Sequence, residues 1–480
     1  MTGYITLTNL HTSYDDAYIT YRYAANFAQG YGFVYNRHEH FMGTTAPLWG
    51  LILGVLGWTN PSAIPLLGNV LSGLSLLGIG LALYGYGRLH GQPVCGLLAA
   101  VFFVVNPLIP PTFGGEMLFQ AALILWAFVA YRLDRTRLAA LLLGLAILTR
   151  PDSIVALGVF GMHYLVTRRR LPWQELLVLA ATLLPPMVLA WTLYGSPLPG
   201  TLEAKQAQRD SGLWPLFTHG TIEWLRGFTM QDSSTLYRGL PAGPAMIRYL
   251  LFVVLGVPAL LWVFRFWLLP LSWIALYALG YHLLNVPFYH WYVVPIVLGL
   301  LMLAASGVAG CIELALRMVR HVQPRVGGQA MAVLCAGCFV VLAPGVYAQM
   351  EYNRRLGAHE PSGGKVLYIK AGQWLKQHTP PDASVGYFEI GFLGYYAERT
   401  MVDPVGLVNP GVAPHVAEGD LTWAYRHYQP DYIVHNPLIF QQQIGRMLDE
   451  PWFADQYHHV GTVEYLGSVL EIYQRAGSGE

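Results

Sequence analysis

Two adjacent carboxylates, Asp15 and Asp16, stand in the run Ser13-Tyr14-Asp15-Asp16-Ala17-Tyr18-Ile19-Thr20-Tyr21-Arg22-Tyr23, ahead of a chain that is mostly hydrocarbon. Ionisable groups beside an apolar bundle are costly and are usually functional, so chemistry is expected here. A helix running from this point to about Gln29 would put Asp15, Tyr18 and Arg22 on one face. A carboxylate and a guanidinium would then line one cleft, about 10 Å apart along the axis. The same residues suit a local role equally well. Ser13 and Asp16 have capping-box spacing, and either Asp charges the first helical turn.

Further polar side chains are scattered along the chain at the ends of apolar stretches. Lys205 follows the turn Tyr194-Gly195-Ser196-Pro197-Leu198-Pro199-Gly200-Thr201, where a point charge suits a phosphate or simply snorkels to lipid headgroups. Glu116, after Phe113-Gly114-Gly115, suits a sugar hydroxyl or base, or the N-terminus of the next helix. Arg150-Pro151-Asp152 reads as a turn whose ion pair satisfies itself or whose guanidinium meets an anion. His290, in Tyr289-His290-Trp291-Tyr292, can donate to a phosphate or bind a metal, while Trp291 and Tyr292 fit an aromatic interface belt. No HExxH, P-loop or GxSxG signature is present.

The elements that must position these groups follow from composition. The 480 residues are 54% hydrophobic and only 11% charged, whereas a soluble domain is nearer a quarter charged. This predicts a polytopic α-helical membrane protein. Net charge is +1 and Arg168-Arg169-Arg170 is the longest basic run, so nucleic acid is not an expected partner. Cys95, Cys311, Cys335 and Cys338 lie in or beside apolar spans and read as small hydrophobes. No cleavable signal peptide precedes the first polar stretch. About ten membrane helices are expected, near 64–87, 93–111, 113–131, 137–149, 152–167, 174–194, 247–264, 267–286, 292–312 and 330–349. Every second loop is basic: Arg88, Arg132 to Arg137, Arg168 to Arg170, Arg265, and Arg317 to Arg325. Those loops belong in the cytoplasm. Residues 1–63, with a short interfacial helix from Leu48 to Trp58, then face outward. So do the turns at Glu116, Arg150 and His290, the long loop 195–246 and the tail 351–480. Helix-like and strand-like pieces alternate in the tail (Val366–Gln377, Ser384–Tyr387, Thr400–Val402, Trp423–Tyr428, Tyr432–His435, and a hairpin of Thr462–Tyr465 with Val469–Tyr473), which predicts a small α/β domain on the outer face. Three segments follow: the first outer loop 1–63, a transmembrane domain 64–350 and an α/β domain 351–480.

Asp15 to Ala24, Gly30-Tyr31-Gly32-Phe33-Val34-Tyr35-Asn36 and Gly43-Thr44-Thr45-Ala46-Pro47-Leu48-Trp49 resemble the first outer loop of GT-C glycosyltransferases, nearest to the family of the mycobacterial terminal β-(1→2) arabinofuranosyltransferase. Gly114-Gly115-Glu116, Leu148-Thr149-Arg150-Pro151-Asp152, Tyr194 to Lys205 and Gly386 to Pro410 match in the same order. The resemblance implies an inverting transfer from a polyprenyl-phosphate sugar to a glycan, lipid or protein hydroxyl, at the outer face of a bacterial cytoplasmic membrane. It implies Asp15 as general base, with Asp16 orienting it or holding a divalent metal ion near the pair; no other cofactor is implied. Arg22 is then the cation beside the pair. Lys205, Arg150 and His290 face the leaving phosphate, and Glu116 and Tyr292 the donor. Two departures stand out. Members of the family carry a membrane helix before the Asp pair, whereas 14 residues precede Asp15 here. Gly200 stands where Asn is expected. The alternatives are a transporter or flippase of polyprenyl-linked sugars and a non-catalytic partner subunit of the same fold. A transporter would want polar residues across the bilayer midplane, whereas here they gather at one face.

Overall fold

The structure is a computed structural model that describes residues 1–12, 14–106, 108–229, 244–322, 363–439 and 441–477. Ser13, the expected helix over 330–349 with Cys335 and Cys338, and the middle of the long outer loop lie outside the described residues.

Helices dominate up to residue 322. The outer segment forms α1 (Thr2–Thr8), α2 (Asp15–Ala28) and α3 (Pro47–Leu56). The bundle follows as α4 (Ile64–Leu89), α5 (Pro93–Val104), α6 (Met117–Arg132), α7 (Thr136–Thr149), α8 (Ile154–Arg168) and α9 (Trp173–Tyr194). After α10 (Thr201–Asp210) and α11 (Phe217–Thr229) come α12 (Pro244–Trp262), α13 (Leu268–Leu284) and α14 (Val294–Val322). Nine expected spans are therefore helical. Four described helices are long and apolar enough to cross a membrane: Pro61–Leu89, Trp173–Tyr194, Arg265–Leu284 and His290–Met318. Others are shorter. The span expected over 93–111 stops at Val104 and the next begins only at Met117, because Asn106, Pro110, Pro111 and Gly114 break the backbone between them. The outer loop 195–246 is not irregular, for α10 and α11 occupy most of its described part.

α1 packs on α4. The contact is close: a Cβ on Gly73 would fall on the side chain of Thr6. Around α4 the bundle is built by pairing α4 with α5 and α6, α6 with α7, α7 with α9, and α12 and α5 with α14.

The tail is an α/β unit: α15 (Gly363–His378), β1 (Ser384–Gly386), α16 (Phe392–Ala397), β2 (Thr400–Val402), β3 (Tyr432–His435), β4 (Tyr457–Tyr465) and β5 (Ser468–Arg475). The sheet order is β2-β1-β3-β5-β4. β1 runs parallel to β2 and β3, and the β4–β5 hairpin closes antiparallel on β3. β1, β2 and β3 sit where alternation predicted them; the hairpin starts five residues earlier than expected.

This unit is not separate from the first outer segment. Ala17, Tyr18 and Tyr21 of α2 share one hydrophobic core with Leu367, Leu393 and Ile472 of the tail. The side-chain amide of Asn36 donates to the carbonyl of Met401 in β2 and accepts from its N–H, both at 2.9 Å. Arg22 completes the join. It is 6% exposed and donates to the carbonyls of Tyr35 (2.9 Å), Gly394 (2.8 Å) and Arg399, with its guanidinium 4.2 Å from the Tyr35 ring centroid. Arg22, expected as the cation beside the Asp pair, instead has its donors committed to the carbonyls of Tyr35 and of two tail residues. Arg22→Met leaves those buried acceptors unmatched and is expected to destabilise the protein by about 3 kcal/mol or more. Thermal unfolding of the purified variant, with faster proteolytic release of the tail domain, checks this.

Candidate functional site

A narrow cleft of about 50 Å³ opens between α2, α10, the Glu116 and Arg150 turns and the start of α14, lined by Asp16, Thr20, Thr44, Glu116, Arg150, Lys205 and Tyr292 among others. Five of the eight expected site residues converge here: Asp16, Glu116, Arg150, Lys205 and Tyr292. Arg22, Asp15 and His290 do not line it.

The two aspartates part company because consecutive helical side chains point about 100° apart. Asp15 turns toward the tail, where its carboxylate accepts from the backbone N–H of Gly391 (2.9 Å) and Phe392 (2.7 Å) at the start of α16, which suits a helix N-terminus. The approach is so tight that a Cβ on Gly391 would fall on the Asp15 carbonyl. Asp16 points the other way, into the cleft. Burial raises its carboxyl above the usual range; the charge of Lys205 holds it back and Glu116 pushes it further. Of the pair expected to carry the chemistry, Asp16 lines the cleft and Asp15 does not.

The cations differ as much. Arg150 is 4% exposed and neutralised. It binds Glu116 at 2.5 Å and Asp152 at 3.0 Å, donates to the Tyr281 hydroxyl at 3.1 Å and lies over the Tyr292 ring, 5.4 Å from its centroid. Asp152 is held in turn by Tyr281 (2.7 Å) and Gln120. The Arg-Pro-Asp turn is therefore an ion network with Glu116 built in, so Glu116 reaches the cleft as a partner of Arg150. Lys205 is the opposite case. It sits one turn into α10 and is 8% exposed. Its ammonium lies 3.8 Å from the Tyr289 ring centroid and has no hydrogen-bond partner among the described residues. A buried ammonium without a hydrogen-bond partner is costly and calls for a ligand or a function.

Backbone turns set these positions. Gly114 has φ +92°; its carbonyl accepts from Tyr21 (3.0 Å) and Trp49 (3.1 Å), and its N–H donates to Ser72 (3.0 Å). One glycine thus ties α2, α3 and α4 to the Glu116 turn. Gly200 precedes α10, and a Cβ there would press on the Phe41 ring at 2.7 Å. The aromatic ring fills the space that a side chain at this position would need. Asp403 accepts from Val405 (2.8 Å) and Leu407 (2.6 Å) and so shapes the loop that brings Leu407 into the cleft wall. His290 lies beside the cleft, edge-on to the Tyr14 ring at 5.6 Å, with Nε2 3.4 Å from the Pro111 carbonyl. Trp291 stacks on Tyr14 at 4.7 Å.

Sequence reasoning missed Tyr14, Thr20, Thr44, Tyr289 and Glu389. Thr44 and Glu389 lay inside stretches already singled out, but the sequence does not show which side chain of those stretches reaches the cleft or Asp15. Glu389 is a carboxylate of the tail beside Asp15. Burial pushes it up to about 7, against a hydrogen bond with Tyr368 and with help from the Asp16 charge. Burial and then Glu389 likewise raise Asp15. A divalent ion does not fit the Asp pair. Asp15 faces backbone N–H groups, Asp16 already faces an ammonium, and no group of three His, Cys, Asp or Glu side chains among the described residues could hold a metal.

Because the folded pKa of Glu389 lies above its ordinary 4.5, its contribution to stability is fully present below about pH 4.5 and is lost as pH rises through about 7. Thermal stability of the docked tail is expected to fall between pH 5 and 8. Glu389→Gln should flatten that slope in a pH series of melting curves.

Residues 351–477 match a family described only as a domain of unknown function, DUF8728. No curated protein matches the sequence. Solved structures do. ArnT from Cupriavidus metallidurans in the apo state aligns over 98% of this chain and 95% of its own, with TM-score 0.57 and 16% identity. The same protein bound to undecaprenyl phosphate covers 100% and 97%, with TM-score 0.54 and 14% identity. The archaeal oligosaccharyltransferase AglB from Archaeoglobus fulgidus, in complex with an inhibitory peptide and a dolichol-phosphate, covers 97% of this chain and 74% of its own, with TM-score 0.56 and 12% identity. The chain has the GT-C fold shared by ArnT and AglB.

Proposed function

We propose that the protein is a membrane glycosyltransferase that moves a sugar from a polyprenyl-phosphate donor to an acceptor hydroxyl, with the cleft and the tail domain on the outer face of a bacterial cytoplasmic membrane. The observation that carries this reading is the juxtaposition of a buried, unpartnered ammonium with an uncommitted carboxylate. Lys205 and Asp16 face one cleft, and no hydrogen bond among the described residues holds the Asp16 carboxyl. One of the fold neighbours was crystallised with undecaprenyl phosphate and another with a dolichol-phosphate, which supports a lipid-linked donor. The basic loops at the opposite ends of the helices support the orientation.

The chemistry follows from the charges. Asp16 takes the proton of the acceptor hydroxyl as its oxygen attacks the anomeric carbon. The bond between that carbon and the phosphate oxygen breaks, and the lipid phosphate leaves with the electron pair. Negative charge grows on the phosphate as the bond lengthens, where a fixed cation stabilises the transition state most. Lys205 supplies it. Arg150, already neutralised by Glu116 and Asp152, orients the cleft wall through Tyr292. A single displacement with one base inverts the anomeric configuration. The cleft has room for the reacting groups only, so the sugar, the acceptor and the lipid are bound in part by surfaces around it. Arabinofuranose, other pentoses and hexoses all satisfy this geometry.

Asp16→Asn is expected to lower sugar transfer from a radiolabelled polyprenyl-phosphate donor by about 10²–10⁴-fold with an unchanged melting temperature. Asp15→Asn should instead lower the melting temperature and keep measurable transfer. Full activity of Asp16→Asn would end the assignment.

The pH profile gives a second check. A base must be ionised, so the rate rises with pH through the pKa of Asp16. Lys205 favours the carboxylate. Lys205→Gln is therefore expected to move the acid limb of the residual activity to higher pH as well as lowering its plateau.

A further inference from the structure

At the end of the bundle remote from Asp16 the helices part. The last turns of α4, α6 and α8 and the start of α13 enclose a cavity of about 780 Å³, in the size range of small-molecule sites. α4 rises about 39 Å from Ile64, beside α3, to Leu89. A hydrocarbon core is about 30 Å thick, so the cavity sits at the opposite membrane surface.

Its chemistry is lopsided. Arg132, Arg168 and Arg265 line it against one carboxylate, Asp134, and Arg168 is already bridged to Asp134. Arg132 donates through Nε to Nε2 of His90 at 3.1 Å, while Nδ1 of His90 faces the Tyr86 carbonyl at 2.8 Å. A neutral His90 protonated on Nδ1 satisfies both contacts, and Arg132 keeps its whole charge. Arg265 donates to the Leu261 carbonyl, at 2.7 Å. Among the described residues, the hydrogen-bond partners of these two guanidinium groups are uncharged. The wall behind them is rigid and aromatic: His90 stacks on Phe266 at 5.0 Å and lies 4.5 Å from Tyr86. A second cavity of about 450 Å³ shares Asp134 and Arg168 and adds Arg135, Arg137 and Arg170, with Glu175 as the other acid. Topology alone requires basic loops in water. It does not require arginines from three separate elements to converge on one aromatic-walled hollow.

We propose that this hollow binds the phosphate of an anionic phospholipid from the leaflet opposite the catalytic cleft, with Arg132 and Arg265 as the phosphate ligands. Guanidinium forks match phosphate oxygens in pairs. Basic pockets between helices at a membrane surface hold such headgroups. A lipid is favoured over a soluble phosphate because the cavity has an exposed apolar side: Leu268, which lines it, is 44% exposed, and α13 lies in a span that begins at Arg265. This inference does not depend on the transferase reading.

The test is native mass spectrometry and thermal shift of the purified full-length protein with phosphatidylglycerol, phosphatidylcholine or inorganic phosphate. The parent should retain phosphatidylglycerol in preference to phosphatidylcholine and gain thermal stability from it. The Arg132→Gln, Arg265→Gln double variant should bind it at least tenfold more weakly. Ser272→Phe, which fills the cavity without changing charge, should weaken it too. Arg88→Gln, an exposed arginine at the same end outside the cavity, should not. Unchanged binding by the double variant and Ser272→Phe, or equal binding of the two lipids, overturns the site. The same stabilisation from inorganic phosphate alone overturns the lipid as its ligand.

Discussion

The outer half of this protein depends on one helix being buried on nearly every side. α2 has no solvent face to speak of: ten of its fourteen residues are buried. One side joins the core of the tail domain, and another meets α3 and α4. A third carries Asp16 and Thr20 to the cleft. A helix so enclosed cannot roll or slide without breaking contacts with three partners. The direction in which Asp16 points is therefore fixed by packing far larger than the cleft itself. Rigid support of this kind is what a reacting group needs, since small misplacements cost large factors in rate.

The same enclosure explains which part of the site could be read in the sequence and which could not. The polar residues at the ends of apolar stretches were legible, because a charge beside hydrocarbon stands out. Asp16, Glu116, Arg150 and Lys205 meet in space. The strands of the tail were legible by alternation. What a linear pattern does not carry is which side of α2 faces what. Asp15, Tyr18 and Arg22 do share a face, as helical spacing requires, but that face meets the tail domain. It accordingly holds a carboxylate on backbone N–H groups and a guanidinium on backbone carbonyls. Polar residues there serve docking, and the neighbouring residue serves the cleft. Glu389 was illegible for the same reason, since only the closed tail brings it beside Asp15 across more than 370 positions of chain.

The helix lengths belong to this picture as well. Several bundle helices stop short at the end that holds the cleft, where proline and glycine turns replace the last one or two helical turns. Non-helical backbone at membrane depth is tolerated when protein buries it. Here Tyr21, Trp49 and Ser72 bond the Gly114 peptide, and the Arg150 network fills the next turn. The shortened helices make a recess into which α2 and α10 bring their polar side chains. The bundle gives up span length at one end to seat a polar cleft at the membrane boundary.

Charge is distributed within that recess in a way that separates structure from reactivity. Arg150 faces two carboxylates and two tyrosine rings, so the approach of an anion changes little around it. Lys205 faces a ring and a carboxylate whose proton affinity burial raises. An arriving phosphate would therefore meet one effective cation. As its charge raises the proton affinity of Asp16, it would also make that carboxylate a stronger base for the acceptor. On the proposed function, donor binding and base strength would be coupled through a single ammonium. That coupling would give a physical reason for leaving one buried lysine without a hydrogen-bond partner while, among the described residues, the buried arginines Arg22, Arg150 and Arg399 are each bonded several times over.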